Sequence, residues 1–418
     1  MNPVQEITFK LSSLCVYRDI LERPAPKAFH HLLIAAGQAQ THTLEFYQAW
    51  GDFFAQLCRQ PPMDSLAGCL TQAALYDENI FSISSAAGEP VSPAIRAAVQ
   101  RDLSIILQAS AITPEQLWEA SGLSALGFPF DLPSWAPGSP VEPLQGEISR
   151  CLDTLAAYYQ KHGCGIYARY RAFIWRNREI QPVSYPDTTS LKDLKGYEYP
   201  RSLVVDNTLS FLNGLPANNC LLYGDRGTGK SSTVKAILNE YYDKGLRVIE
   251  MPKEYLMDFP YLVNQIAALP MKFIIFIDDL SFSKQDDTYA SLKAVLEGGV
   301  AARPANTLIY ATSNRRHLLR ETFSDREGDE VHRGDTIQES LSLADRFGLS
   351  VSFIQPDKAH FLEIVRQLAL QRELGDFLPE LEKGAEQWAL QRGGRSPRCA
   401  RQYINACEAK IKLGHPLA

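Results

Sequence analysis

Near the middle of the chain, the sequence runs Gly224-Asp225-Arg226-Gly227-Thr228-Gly229-Lys230-Ser231 and matches the pattern G-x-x-x-x-G-K-[ST]. Its glycines allow the backbone to curl, so that successive N–H groups can point at phosphate oxygens. The Lys230 ammonium would bind the β- and γ-phosphates, and the Ser231 hydroxyl would ligate Mg²⁺. The stretch therefore predicts a phosphate-binding loop, for which a glycine-rich structural turn is the alternative.

The residues on either side of this loop predict the strand and the helix that such a loop connects. Residues 219–223 form a short apolar run that is typical of a strand. Residues 231–242 carry apolar side chains at helical spacing, and a helix that begins here would point the positive end of its dipole at bound phosphate. We therefore assign Ser232, together with Gly224–Ser231, to nucleotide binding.

The composition is that of an ordinary globular protein. The chain has 418 residues, a length that is enough for two or three domains. Of these residues, 45% are hydrophobic and 22% are charged, as in ordinary globular proteins. Its formal net charge of -6 argues against a surface built for bulk nucleic-acid binding, because neutralising phosphates needs clustered Lys and Arg. No apolar run approaches the roughly 20 residues that span a bilayer, and no signal peptide is visible.

The cysteines indicate a reducing compartment. All eight are scattered singly along the chain, without a Cys-x-x-Cys pair, which is typical of reduced thiols and unlike a zinc site. Together with the lack of an apolar span, this predicts a cytoplasmic protein with no membrane partner.

Hydrophobic periodicity divides the chain into four parts. Residues 1–145 predict a mostly helical N-terminal domain, and residues 146–190 a helical connector with helices over Ile148–Lys161 and Ile166–Trp175. Thr113 and Pro114 form a helix start, with Thr113 as N-cap. Five prolines between positions 129 and 143 predict a linker or a loop. Residues 191–355 predict an α/β domain, and residues 356–418 a helical lid.

The α/β assignment depends on short apolar segments that alternate with helical ones. The predicted strands are residues 219–223, 248–251, 273–277, 307–311 and 349–353. Residues 273–277 are apolar throughout, as expected for a strand that is buried on both faces of a parallel sheet. This alternation predicts a doubly wound parallel sheet flanked by helices.

Polar residues follow two of these strands. Asp278 would hold Mg²⁺ and Asp279 would polarise the attacking water, with a strand-end turn or helix cap as the alternative. Asn314, after the next strand, could touch the γ-phosphate or the water; an ordinary turn Asn is its alternative. The sequence therefore predicts a catalytic cluster beside the phosphate-binding loop.

Two arginines complete the predicted site. Arg346 precedes the last strand and could reach the nucleotide of a neighbouring subunit as an arginine finger; an ion pair within the chain, such as one with Asp345, is the alternative. Residues 393–398 open a helix predicted over residues 399–413, and Arg398 would approach the phosphates if this helix folds back as a lid, whereas a surface position is the alternative. Arg395 fits a surface position better.

These motifs, in this order, resemble those of AAA+ P-loop ATPases. Four segments are similar to a prokaryotic AAA+ family that is catalogued only as a domain of unknown function: residues 193–198, 215–219, 278–282 and 311–318. The resemblance covers roughly residues 166–418. It implies a P-loop NTPase sheet, ATP and Mg²⁺ as cofactors, and a homo-oligomer joined through Arg346. It also implies that Lys230, Asp278, Asn314 and Arg398 are the Walker A lysine, the Walker B metal ligand, sensor 1 and sensor 2, and that Leu194 and Gly196 line the adenine.

The chain departs from the general AAA+ pattern at two places. Most members have Glu where this chain has Asp279. Because the Asp side chain is shorter and could position the attacking water less well, slow hydrolysis is an alternative. The segment after the second predicted strand, residues 252–256, is a weak match to the pore loop of unfoldases.

Three functions therefore stay open. The leading hypothesis is an ATPase that remodels or loads a protein or nucleoprotein partner. The second is a nucleotide-gated scaffold with slow turnover. The third is a DNA-acting ATPase in which Arg315 and Arg316 would contact phosphate, a function that the negative net charge of the chain disfavours. A GTPase would need an Asn-Lys-x-Asp motif, which is absent, and no acceptor pocket of a small-molecule kinase is identifiable.

Overall fold

The protein folds as two compact units, Met1–Arg169 and Tyr170–Ala418. The structure, a computed structural model, describes residues 2–59, 65–136, 138–282, 287–297, 304–315 and 343–417. Among these residues, no helix combines the length and the apolar character that crossing a bilayer requires.

The first unit is helical in the part that the structure describes. Its α-helices are α1 (Pro3–Ser12), α2 (Pro24–Ala36), α3 (Thr43–Cys58), α4 (Leu66–Leu75), α5 (Ile80–Ala86), α6 (Pro93–Ser110), α7 (Pro114–Ser121), α8 (Ile148–His162) and α9 (Gly165–Arg169). The predicted start of α7 is confirmed: Thr113 Oγ1 accepts the Gln116 N–H at 3.3 Å, and Pro114 occupies the first turn. Large buried side chains such as Phe29, Trp50 and Tyr159 fill the core.

The proline-rich segment at residues 129–143 packs onto this core instead of linking two domains. Trp135 is only 6% exposed, and its ring centroid lies 5.1 Å from that of Trp50 and 5.0 Å from that of Phe53. The Trp50 indole Nε1 donates to the Pro133 oxygen at 2.9 Å. Helix α8, placed in a connector on sequence grounds, also packs on α5 and α6, so that the first unit extends to Arg169, beyond the boundary at 145.

A buried carboxylate holds the chain that leaves α1. Asp102 is fully buried, and its Oδ2 accepts the N–H groups of Cys15, Val16 and Tyr17 at 2.8, 2.7 and 3.1 Å. Three donors converge on one charge in a dry environment, where unpaired N–H groups are costly. This arrangement makes Asp102 a determinant of stability.

We expect Asp102→Ala to destabilise the first unit by roughly 2–4 kcal/mol, because it leaves the N–H groups of Cys15, Val16 and the fully buried Tyr17 without this acceptor. Urea unfolding followed by tryptophan fluorescence measures the loss. Asp153→Ala is the matched control, since Asp153 is 75% exposed and pairs with Arg96 at the surface, where such pairs contribute about 0–1 kcal/mol. Equal unfolding midpoints for Asp102→Ala and the control would contradict the prediction.

The second unit contains a seven-stranded sheet of order β2-β1-β4-β5-β6-β3-β7. The strands are β1 (Ala172–Arg176), β2 (Glu179–Pro182), β3 (Cys220–Gly224), β4 (Leu246–Glu250), β5 (Lys272–Ile277), β6 (Thr307–Ser313) and β7 (Leu349–Phe353). All neighbouring pairs are parallel except β1 and β2. The predicted α/β fold is therefore confirmed, and β3 to β7 are the five predicted strands.

The predicted helix over Ile166–Trp175 is confirmed only as far as Arg169 and is wrong beyond it. Helix α9 ends at Arg169, and residues 172–176 form β1, which pairs with β2 through a tight antiparallel turn. The turn residues Asn177 and Arg178 have φ of 53° and 60°, the left-handed values that two-residue hairpins of type I′ require. Neither is glycine, so the usual sequence signal of the hairpin is missing.

Helices cover this sheet and form the lid beyond it. They are α10 (Glu198–Leu212), α11 (Lys230–Tyr241), α12 (Phe259–Ile266), α13 (Asp287–Glu297), α14 (Lys358–Gln371), α15 (Leu378–Gln391) and α16 (Pro397–Lys412). The last three enclose an apolar core of their own, in which Phe361, Leu381 and Ile404 are fully buried. The Tyr403 hydroxyl ties α16 to α15 by donating to the Leu381 oxygen at 2.8 Å. The lid is thus a packed helical body that follows β7.

Candidate active site

A cavity of about 340 Å³ opens at the edge of the sheet where β3, β5 and β6 end. Ligands of open α/β sheets bind at this carboxyl edge. The cavity brings together most residues that the sequence predicts for the site: Leu194, Gly196, Arg226, Gly227, Thr228, Gly229, Lys230, Ser231, Ser232, Asp278, Asp279, Asn314 and Arg398.

The loop between β3 and α11 has the backbone that its glycines were expected to supply. Gly224 has a φ of +132°, and a Cβ there would lie 2.2 Å from the Phe353 oxygen of neighbouring β7. Gly227 and Gly229 also have positive φ, and Gly229 is the N-cap of α11, which begins at Lys230. The tight loop therefore aims the N-terminus of α11 into the cavity, as in an anion-binding site.

Lys230 is the buried cation of the site. Only 7% of the residue is exposed, and its Nζ donates to the carbonyl oxygens of Gly224 at 2.7 Å and Asp225 at 2.6 Å and to Asn314 Oδ1 at 3.4 Å. Burial lowers the pKa of Lys230, and the carboxylates of Asp225, Asp279 and Asp278 oppose this shift. The ammonium is thus held in place by acceptors that it can exchange for phosphate oxygens.

Ser231 and Asp278 place a hydroxyl and a carboxylate in the same cavity as this lysine. Ser231 Oγ donates to Asp278 Oδ1 at 2.6 Å across the gap between α11 and the end of β5. A hydroxyl and a carboxylate suit Mg²⁺, which prefers oxygen ligands and keeps several waters and substrate phosphates in its coordination shell. The two residues therefore fit the predicted metal site, with phosphate and water supplying the other ligands.

Asp279 and Asn314 form a second polar pair in the cavity. Asn314 Nδ2 donates to Asp279 Oδ1 at 2.6 Å, while Asn314 Oδ1 accepts from Lys230. Asp279 has a φ of 50°, which residues with a Cβ rarely adopt. Such strain is characteristic of functional sites and persists only where surrounding contacts hold it.

The lid contributes Arg398 to the same cavity. The Arg398 N–H donates to the Gly227 oxygen at 3.1 Å, and a Cβ on Gly227 would lie 3.2 Å from the Arg398 Cβ. The first turn of α16 is therefore packed directly on the P-loop. Arg395 is engaged elsewhere: its guanidinium donates to the Glu386 carboxylate, with Nε 3.1 Å from Oε1, and this partner raises the pKa of Arg395.

The end of the cavity away from Ser231 and Asp278 is formed by the segment before α10. The Arg201 guanidinium, 12% exposed, donates to the Leu194 oxygen and so fixes the backbone beside Gly196. Tyr197 stacks on Phe353 with ring centroids 5.5 Å apart, and its hydroxyl donates to the Ile354 oxygen at 2.6 Å. These contacts fix the backbone and the Tyr197 ring at this end of the cavity, and such a surface suits the planar ring of a nucleobase.

Sequence reasoning missed several lining residues: Lys195, Tyr197, Arg201, Thr233, Thr312, Phe353, Pro397 and Arg401. Two of them carry a sequence signal. Arg401 follows Arg398 by three residues on α16 and so shares its face of the helix, and Thr312 lies two residues before Asn314 on β6.

Three residues predicted for the site do not line this cavity. Gly224 and Asp225 contribute their carbonyl oxygens to Lys230, and the Asp225 carboxylate instead accepts the Gln355 N–H at 2.7 Å, next to the start of the lid. Arg346 precedes β7 at the amino edge of the sheet. Arg316 lies outside the described residues.

The sheet order, the P-loop and the helical lid together define an AAA+ P-loop protein. Residues 168–411 match the family model described as "Protein of unknown function (DUF815)", and the chain belongs to this family. The description assigns no activity, so function has to be argued from the residues of the site.

Solved structures of distant AAA+ proteins also match part of the chain. The Thermotoga maritima RuvB Holliday junction branch migration motor is 13% identical, with a TM-score of 0.31 over 52% of this chain and 72% of that chain. AMPPCP-bound DnaA from Aquifex aeolicus is 16% identical, with a TM-score of 0.38 over 56% and 68%. The Aeropyrum pernix ORC1 protein in complex with DNA is 14% identical, with a TM-score of 0.36 over 54% and 62%.

Proposed function

We propose that this protein is a cytoplasmic ATPase that binds ATP with Mg²⁺, hydrolyses it, and uses the cycle to remodel or load a protein partner. One observation carries the proposal: the buried Lys230, the Ser231–Asp278 pair and the Asp279–Asn314 pair face one cavity at the carboxyl edge of the sheet. This set contains a cation that could bind phosphate, two oxygen ligands that could hold a metal ion, and a carboxylate that could orient the attacking water.

Each part of the cavity has a role in this proposal. The wall at Leu194, Gly196 and Tyr197 would hold adenine, and the N-terminus of α11 with Lys230 would bind the β- and γ-phosphates. Ser231 and Asp278 would hold Mg²⁺, which neutralises charge on the phosphates. Asp279, hydrogen-bonded to Asn314, would orient the attacking water and accept its proton.

The contact between the P-loop and the lid supports coupling to motion. Gly227 accepts the Arg398 N–H, and a Cβ on Gly227 would lie 3.0 Å from Ser396 Oγ and 3.2 Å from the Arg398 Cβ. A bound γ-phosphate that attracts the Arg398 guanidinium would therefore act directly on α16. Movement of α16 would carry α14 and α15, because the three helices share one core. The lid is therefore a body that nucleotide state can displace.

A second candidate function, a nucleotide-gated scaffold with slow turnover, is favoured by one observation. The Asp279 carboxylate is one methylene shorter than the Glu of most AAA+ proteins, and it is already bound to the Asn314 amide at 2.6 Å. Releasing this hydrogen bond before water can be activated would slow hydrolysis without weakening ATP binding.

One assay tests both candidates: ATP binding and phosphate release by the full chain, with Mg²⁺ or with excess EDTA. We expect turnover with Mg²⁺, its loss with EDTA or in Asp278→Asn, and retained ATP binding in both cases. Asp243→Asn, an exposed carboxylate beyond the far end of α11, is the matched control. Wild-type turnover no faster than that of Asp279→Asn would select the scaffold, and absence of ATP binding would refute both candidates.

A further inference from the structure

Thr312, near the end of β6, contacts three consecutive residues of the loop that follows β5. Its hydroxyl donates to Asp278 Oδ1 at 2.5 Å and accepts the Asp279 N–H at 2.9 Å. Its backbone oxygen accepts the Leu280 N–H at 2.7 Å. Only 2% of Thr312 is exposed, so its hydroxyl is held in a buried position on the strand.

The register of the sheet places Thr312 one residue beyond the last pair of β5 and β6, while it still pairs with Leu222 of β3. The last pair between β5 and β6 is Ile277 with Ala311, so Thr312 lies beside the loop that carries both carboxylates. Threonine is β-branched and has a stiff χ1 torsion, which fixes the direction of its hydroxyl on a buried strand. Thr312 is therefore a rigid point of attachment for the loop.

The Asp279 backbone needs such an attachment because of its φ of 50°. Thr312 binds the N–H groups of Asp279 and Leu280, one on each side of the strained residue, and Ser313 Oγ donates to the Leu280 oxygen at 2.8 Å. These contacts hold the Asp279 carboxylate where Asn314 meets it.

The same hydroxyl orients Asp278. Ser231 and Thr312 both donate to Oδ1, and Oδ2 accepts no hydrogen bond from the residues that the structure describes. Two donors on one oxygen, one from α11 and one from β6, fix the carboxylate plane and leave Oδ2 for a metal-bound water.

We propose that Thr312 is a positioning residue for ATP hydrolysis, acting through Asp278 and Asp279 together. This inference rests on the function proposed above and adds to it a residue outside the predicted site. Partners of this kind, which orient metal ligands without touching the metal, affect metal affinity or activity by about 10- to 100-fold when they are removed.

The test compares Thr312→Val, which keeps the shape and removes the hydroxyl, with Thr312→Ser, which keeps the hydroxyl. We expect Thr312→Val to lower kcat about 10- to 100-fold and to raise the Mg²⁺ concentration for half-maximal turnover. ATP affinity in EDTA should stay near the wild-type value, and Thr312→Ser should recover most of the turnover. Thr312→Ala provides a second hydroxyl-free variant if valine prevents folding.

Thr208→Val is the matched control, because Thr208 is a fully buried threonine on α10. Its hydroxyl donates to the Val204 oxygen at 2.8 Å and shares a hydrogen bond with the Tyr310 hydroxyl on β6, but bonds neither Asp278 nor Asp279. The Thr208→Val substitution should change the thermal stability of the protein but not the Mg²⁺ concentration that gives half-maximal turnover. Two results would overturn this inference alone, provided that the wild type hydrolyses ATP. The first is wild-type turnover in Thr312→Val, and the second is turnover in Thr312→Ser that is no faster than in Thr312→Val. A wild type that binds no ATP would overturn the proposed function and this inference with it.

Discussion

Lys230→Ala is expected to weaken ATP binding by about 100-fold or more, the largest effect on affinity of any single change in the site. The Lys230 ammonium is buried and anchored to the Gly224 and Asp225 oxygens, from which it can turn to phosphate without a large movement. A hydrogen bond to a charged group contributes about 1.5–3 kcal/mol, so two such bonds to phosphate account for two orders of magnitude or more in Kd. Titration of a fluorescent ATP analogue measures the loss.

Lys235→Ala is the control for this experiment. Lys235 lies on the same helix, one turn further along, but its side chain is 44% exposed and lies 3.8 Å from the Asp187 carboxylate, outside the cavity. It should bind ATP as the wild type does. Nearly equal affinities for Lys230→Ala and Lys235→Ala would show that the cavity is not the nucleotide site.

Local sequence spacing predicted the P-loop, because its glycines, lysine and serine lie within eight consecutive residues. Asp278 and Asn314 could be predicted as neighbours because each follows a buried parallel strand, and the carboxyl ends of such strands lie at one edge of the sheet. The pattern of apolar segments also predicted β3 to β7. These inferences need only local order and the general geometry of parallel sheets.

The cavity residues and strands that the sequence did not predict owe their positions to packing between segments that are distant in the chain. The role of Thr312 follows from the register of β5 against β6, and Arg201 reaches the cavity only because its guanidinium turns back to the Leu194 oxygen. Most of β1 was included in the helix predicted over Ile166–Trp175 because its apolar residues fit the periodicity of a helix as well as that of a strand. The β1–β2 hairpin was not predicted, since its turn lacks glycine. The prolines around Trp135 predicted a linker or a loop, because they mark irregular backbone, but they do not show whether that backbone packs on a core.

Arg346 is placed where it cannot serve the cavity of its own chain. It precedes β7, whose first residue, Leu349, pairs with Cys220 at the start of β3, whereas the P-loop follows Gly224 at the other end of β3. The five-residue strand separates the two edges by about 17 Å. An arginine finger at this position would therefore have to act on a neighbouring copy of the chain.

We expect Arg346→Ala to bind ATP normally and to lose turnover by about 10³-fold or more, the size of effect that arginine fingers have. Asp345→Asn, on the same turn and exposed, should leave turnover unchanged. The decisive measurement mixes Arg346→Ala with Lys230→Ala, each inactive alone. In mixed assemblies, Lys230→Ala copies would supply Arg346 to the intact ATP sites of their neighbours, so phosphate release should reappear. A mixture as inactive as its components, under conditions where the two variants co-assemble, would contradict catalysis shared between subunits.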